Sequence, residues 1–135
     1  MPDSPAAGPR AGLRVLVVDD DADCVFAMAA LLRLAGHEVH TARASAEALE
    51  VAQRLRPDVV LLDLGLPGMN GCEVARQMQK HEDAPPPFLI AVTGHGREEA
   101  RRRSRDAGIP VYLLKPVDAN HLLAILAWCS QVVGA

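Results

Sequence analysis

The sequence predicts an α/β domain built on a parallel sheet with helices on both faces. Two observations carry that expectation. Short apolar runs alternate five times with stretches of helical spacing, and the connections are brief. Several of the runs are unbroken aliphatic strings, the pattern of strands covered on both sides. The chain has 135 residues, which suits one domain and buries roughly two-thirds of its unfolded surface without a disulfide or structural metal. Half the residues are hydrophobic but only 3% are aromatic, so the core must be aliphatic.

The elements follow in order. Leu13 to Val18 is a first strand. Residues 22–35 form a helix, with Val25, Met28, Ala29 and Leu32 at helical spacing and Gly36 as its stop. Residues 37–41 make a short second strand. Ser45 opens a helix that runs through Leu55, and Pro57 forbids its continuation. Residues 58–63 repeat the first theme, an aliphatic strand ending in a carboxylate. A loop with Pro67, Gly68 and Gly71 leads into a helix near 72–80. Three prolines, 85–87, precede a fourth strand over 88–92 that leads to Thr93. Gly94 and Gly96 turn the chain into an arginine-rich helix, 97–107. Residues 111–114 are the fifth strand, ending at Lys115, and Leu122 to Val133 closes the chain as an amphipathic helix.

Bulk properties exclude several classes. A net charge of −3 speaks against direct nucleic-acid binding. No apolar run approaches the ~20 residues of a membrane span. The opening residues lack the apolar stretch of a signal peptide, and residues 1–11 read as a flexible tail rich in Pro, Gly and Ala. Cys24, Cys72 and Cys129 are odd in number and form no CxxC pair, so they read as reduced packing thiols of a cytoplasmic protein.

The chemistry collects at the carboxyl ends of the strands, where open parallel sheets bind ligands. Asp19 and Asp20 follow the first strand, Asp63 ends the third, Thr93 the fourth, and Lys115 the fifth. Singly, each has a bland explanation, and Asp21 is the natural cap of the helix from residue 22. Together they place three carboxylates, a hydroxyl and an ammonium on one rim. At ~4 Å two carboxylates repel by about 1 kcal/mol in water and about 4 at a shielded site. A hard divalent cation resolves that crowding, and magnesium, content with few protein oxygens, suits it. The remaining partner is an oxyanion held by Lys115, Thr93 and backbone amides.

These residues sit in motifs that resemble the receiver domain of two-component response regulators, over residues 12–133. The motifs are VLVVDDDAD at 15–23, LLDLGLPGMNG at 61–71, AVTGHG at 91–96 and YLLKP at 112–116. The resemblance implies a flavodoxin-like, doubly wound five-stranded sheet in the order 2-1-3-4-5, a receiver domain over 12–135, and a set of roles. Asp63 matches the aspartate that takes a phosphoryl group from a phosphohistidine of a sensor histidine kinase or histidine phosphotransfer protein. Asp20, Asp63 and the backbone carbonyl of Gly65 match the magnesium ligands, with Asp19 acting through water and manganese an alternative ion. Thr93 and Lys115 match the groups that hold the phosphoryl oxygens. Thr93 and Tyr112 match the switch pair. Lys115–Pro116 matches a cis bond, an arrangement proline tolerates. The output is expected through the fourth helix, fifth strand and fifth helix, toward a partner or a second copy. Gly65 and His95 depart from commoner residues at their positions.

On this reading the chain is a switch that assists its own phosphorylation and slow dephosphorylation, and not an enzyme acting on substrates. A free-standing receiver and the receiver of a hybrid kinase both fit. Two rivals are an aspartyl-phosphate phosphatase and a pseudo-receiver that only binds partners. The first expects Asp-x-Asp on the first strand and a cap domain; the second usually loses the acidic pair or the lysine. The arginine run at 97–106 reads as a self-paired surface, with Glu98–Arg102 and Glu99–Arg103 at favourable spacing. Trp128 is expected at a helix edge, and His37, His40, His81 and His121 on the surface.

Overall fold

The computed structural model describes residues 12–65, 70–80, 85–94 and 98–133. The tail 1–11, the Leu66–Met69 part of the second motif, His81, His95, Gly96 and Arg97 lie outside the described residues. Strands β1 (Arg14–Val18), β2 (Glu38–Ala42), β3 (Val59–Asp63), β4 (Phe88–Thr93) and β5 (Val111–Leu114) form one sheet in the order β2-β1-β3-β4-β5. Every pairing is parallel. Helices α1 (Ala22–Leu34), α2 (Ser45–Leu55), α3 (Gly71–Met78), α4 (Glu98–Asp106) and α5 (Ala119–Val133) alternate with the strands.

Side-chain alternation along the strands divides the core in two. Leu16 and Val18, Val60 and Leu62, Leu89 and Ala91 face one side, where α2, α3 and the end of α4 supply Ala48, Val51, Val74, Met78 and Ala107. Val15 and Val17, Val59 and Leu61, Ile90 and Val92 face the other, against Ala29 and Leu32 of α1 and Leu122, Leu126 and Cys129 of α5. β1, β3 and β4 are therefore buried along nearly their whole length, which is why each reads as an unbroken aliphatic run. Among the described residues, no helix is long and apolar enough to cross a membrane.

Most boundaries fall within a residue or two of the expected ones. The exception is α5, which begins three residues before Leu122, at Ala119. Asp118 starts it: its carboxylate accepts from the His121 amide at 3.1 Å and its carbonyl from the Leu122 amide at 3.0 Å. The polar first turn carries no apolar periodicity, so the spacing of core residues missed it. Asp21 caps α1 as expected, accepting from the amides of Asp23 and Cys24. His37 is not a plain surface residue, for its half-buried ring accepts the Leu13 amide at Nδ1, 3.0 Å away. His40 bonds Glu38 at 2.7 Å. Trp128 packs edge-to-face on Phe88, centroids 5.7 Å apart, with about half of it exposed.

α4 sits on the sheet differently from the other helices. Ser104 is its buried residue, and among the described residues that hydroxyl has no hydrogen-bond partner. The Gln79 amide of the segment after α3 reaches across to the Ala107 carbonyl at 2.8 Å, tying the end of α4 to α3. Gly108, at φ +86°, makes the turn into β5 directly against that Gln79 side chain.

Candidate functional site

Strand register brings the site together. Val18 pairs with Leu62, so Asp19 and Asp63 emerge level with each other at the ends of β1 and β3. Asp63 pairs with Val92, and Val92 with Leu113, which sets Thr93 and Leu114 one step further out. The Lys115 amide then bonds the Thr93 carbonyl at 2.8 Å, fastening the end of β5 to the end of β4. Asp19, Asp63 and Thr93 are buried, whereas Asp20 and Gly65 are exposed. The Lys115–Pro116 bond is cis.

Carboxylate oxygens of Asp19, Asp20 and Asp63 all lie within 4.8 Å of one another. Lys115 reaches into this cluster, with its ammonium 2.8 Å from Asp19 Oδ2 and 3.5 Å from Asp63 Oδ2. The second Asp19 oxygen accepts the Asp21 amide at 3.0 Å, and Asp63 Oδ1 accepts the Gly65 amide at 2.9 Å. Arg43 donates to the Asp20 carbonyl at 3.1 Å, so the backbone of Asp20 is held while its side chain faces solvent. The donor set is oxygen alone, hard and anionic, and it fits a hard divalent cation.

Electrostatics separate the two buried aspartates. Burial pushes the Asp19 carboxyl up, but the Lys115 hydrogen bond, the Asp21 amide and the Lys115 charge outweigh it and hold it below the usual carboxylate range. Burial raises the Asp63 carboxyl, and against the opposing Gly65 amide and Lys115 the Asp19 charge and a hydrogen bond with Asp19 keep it raised. Burial alone would lower Lys115, but its bond to Asp19 and the two carboxylate charges raise it. The metal-free pair therefore keeps a proton at Asp63 into a range where an ordinary carboxylate is ionised. A cation must displace that proton, so magnesium affinity is expected to fall as acidification protonates Asp63, with protons released on binding. Titration calorimetry at several pH values, in buffers of different ionisation enthalpy, checks this; an affinity indifferent to pH contradicts it.

Two contacts at the site escaped the sequence. Cys24 lines a small cavity together with Asp19, and the Asp19 charge adds to burial in raising its thiol, so this half-exposed cysteine is more than a packing residue. Burial raises all three thiols, which keeps them protonated and inert. The second contact is Arg101, whose guanidinium stacks over the Tyr112 ring at 5.3 Å. Tyr112 is half-buried and packs against the core under α3 and α4. A run of arginines offers no sign of which one turns inward. Of the expected α4 pairs, Glu99–Arg103 is present at 3.7 Å.

Comparison with known proteins now bears on this geometry. The family model for the response regulator receiver domain matches residues 15–127. The chain belongs to that family. Protein PilH of Pseudomonas aeruginosa is 34% identical over 110 residues, 82% of this receiver and 91% of PilH. The transcriptional regulatory protein PdtaR of Mycobacterium tuberculosis is 34% identical over 122 residues, 90% of this chain and 57% of PdtaR. The receiver thus spans nearly all of the first relative but only about half of PdtaR and of PrrA from Mycobacterium leprae. Among solved structures, a CheY-like receiver domain protein from Methanospirillum hungatei superposes with a TM-score of 0.79 at 30% identity, covering 87% of this chain and 94% of that one. A receiver domain protein from Clostridium thermocellum gives 0.80 at 28% identity, covering 90% and 96%. The flavodoxin-like order 2-1-3-4-5 is that of these neighbours. Receiver domains act in two-component signalling with histidine kinases or phosphotransfer proteins, and bind magnesium at an acidic pocket of the kind Asp19, Asp20 and Asp63 form here.

Proposed function

We propose that this receiver takes a phosphoryl group on Asp63 from the phosphohistidine of a sensor kinase or phosphotransfer protein, in a magnesium-dependent reaction. The observation that carries this is the convergence of three carboxylates and Lys115 on one rim, with Asp63 at its buried centre. Asp20, Asp63 and the Gly65 carbonyl would hold the ion directly and Asp19 through water, with manganese able to replace magnesium. Magnesium, when bound, neutralises the carboxylates and draws the phosphoryl oxygens toward Asp63.

The chain's own residues do the rest. An Asp63 oxygen attacks phosphorus while the bond to the donor imidazole breaks, its electron pair returning to the ring. Such transfer is governed by positioning and charge neutralisation. The Gly65 amide orients Asp63, and the Thr93 hydroxyl and Lys115 ammonium bind the transferred oxygens. The acyl phosphate brings roughly −1.5 to −2 charge. Thr93 and Lys115 follow it, Tyr112 turns inward away from Arg101, and the face made by α4, β5 and α5 changes toward its partner or a second copy. The active arrangement pre-exists and is enriched by phosphorylation. The phosphatase reading has less support, since the candidate nucleophile ends β3 rather than β1. The pseudo-receiver reading is disfavoured by the retained Asp19, Asp20, Asp63 and Lys115.

Beryllofluoride with magnesium stands in for the phosphoryl group and tests the switch. Amide signals are expected to shift throughout residues 94–112 and 117–128. Shifts confined to the immediate neighbours of Asp63 would leave a phosphoacceptor without an output and end the regulatory reading.

A further inference from the structure

Among the described residues Asp63 pairs with one cation, Lys115 at 3.5 Å, and Lys115 is already engaged more closely with Asp19 at 2.8 Å. On another side the site opens into a cavity of ≈ 150 Å³, whose walls include Gly65, Asn70, Cys72 and Thr93, with Arg103 of α4 at its edge. Gly65 leaves this space open, although nothing in the packing demands a glycine there. A Cβ would make only ordinary contact, 3.5 Å from Asp63 Oδ1.

Arg103 is well placed to use that opening. Its pairing with Glu99 is long, 3.7 Å, between side chains 61% and 68% exposed, and such a pair yields readily to a stronger anion. A guanidinium presents a planar fork of donors that matches phosphoryl oxygens. Its charge is felt on the far wall, where burial raises the Cys72 thiol and the charges of Arg76 and Arg103 oppose that rise. With magnesium and the shared Lys115 occupied by the carboxylates as well, oxygens of a phosphoryl group on Asp63 that face this cavity would still lack a side-chain cation of their own.

We propose that Arg103 is a second side-chain cation for the phosphoryl group, beside Lys115 and the metal: it leaves Glu99, enters the cavity beside Gly65 and Thr93, and binds phosphoryl oxygens from there. This rests on Asp63 being the phosphoacceptor. It also gives α4 a direct pull from the phosphoryl group, independent of Tyr112.

The test is beryllofluoride affinity in saturating magnesium, measured on the full chain. Arg103→Gln is expected to bind about tenfold more weakly, Arg103→Lys to recover part of that loss through its charge, and Glu99→Gln, which frees the guanidinium, to bind about threefold more tightly. Arg102→Gln, which removes the same charge from the neighbouring exposed position, is expected to match wild type. Wild-type affinity in Arg103→Gln overturns the proposal. So does an equal loss in the Gln and Lys variants, which would mark packing, or an equal loss in Arg102→Gln, which would mark a diffuse field. Phosphorylation by acetyl phosphate, read by intact mass, separates the two levels. If wild type stays unlabelled, the phosphoacceptor reading fails and this proposal with it; labelled wild type with indifferent Arg103 variants refutes this proposal alone.

Discussion

Asp20→Ala is expected to weaken magnesium binding by about 100-fold or more while leaving the metal-free protein at least as stable as wild type. The asymmetry follows from where the three carboxylates sit. Asp19 and Asp63 are buried and share Lys115, whereas Asp20 is exposed, with its backbone held by Arg43. Magnesium takes few protein oxygens, so losing Asp20, a direct ligand in the proposed assignment, is severe. Without metal, the same deletion removes one of three like charges whose oxygens lie within 4.8 Å, a relief of about 1 kcal/mol for a solvated pair. Titration calorimetry and thermal unfolding in chelator check both halves. Unchanged magnesium affinity, or a clear fall in metal-free stability, contradicts the assignment.

Lys115→Met is expected to act in the opposite sense. It leaves two buried carboxylates without their cation, and the metal-free protein should lose about 1–3 kcal/mol at neutral pH. The pH dependence has a definite sign. Asp19 is held below its ordinary value of 3.8, so its contribution is present above that value and fades as pH falls through its folded pKa. Lys115 is held above its ordinary value of 10.5, so its contribution is present below that value and fades as pH rises through its folded pKa. The pair therefore stabilises most between those limits. The deficit of the variant should shrink on acidification, when the carboxylates can protonate, and shrink again when magnesium binds the folded state. Urea unfolding across pH, with and without magnesium, decides it. A deficit indifferent to both would mean that Lys115 serves packing rather than charge.

The sheet was legible because β1, β3 and β4 are covered on both faces, and only an unbroken aliphatic string can satisfy that burial. The rim of the sheet was legible for the same reason: once the strands are placed, Asp19, Asp63, Thr93 and Lys115 have nowhere else to emerge. What escaped depended on single polar contacts between distant parts of the chain. Asp118 starts α5 through two hydrogen bonds that leave no apolar period behind. His37 resembles any surface histidine until the strand beside it offers the Leu13 amide. Pattern cannot tell that Lys115 lies closer to Asp19 than to Asp63, or that Arg101 rather than Arg102 covers Tyr112. Those choices belong to side-chain geometry, which sequence spacing constrains only loosely.

The central claim is that Asp63 carries the phosphoryl group, and intact mass after incubation with acetyl phosphate and magnesium tests it most directly. The wild type is expected to gain the mass of one phosphoryl group, to lose that gain when magnesium is chelated beforehand, and to show none in Asp63→Asn. Asp63→Asn should remain folded, since it removes a buried charge whose ionisation the site already opposes. Undiminished labelling of the folded Asp63→Asn protein would place the chemistry on another residue and contradict the account.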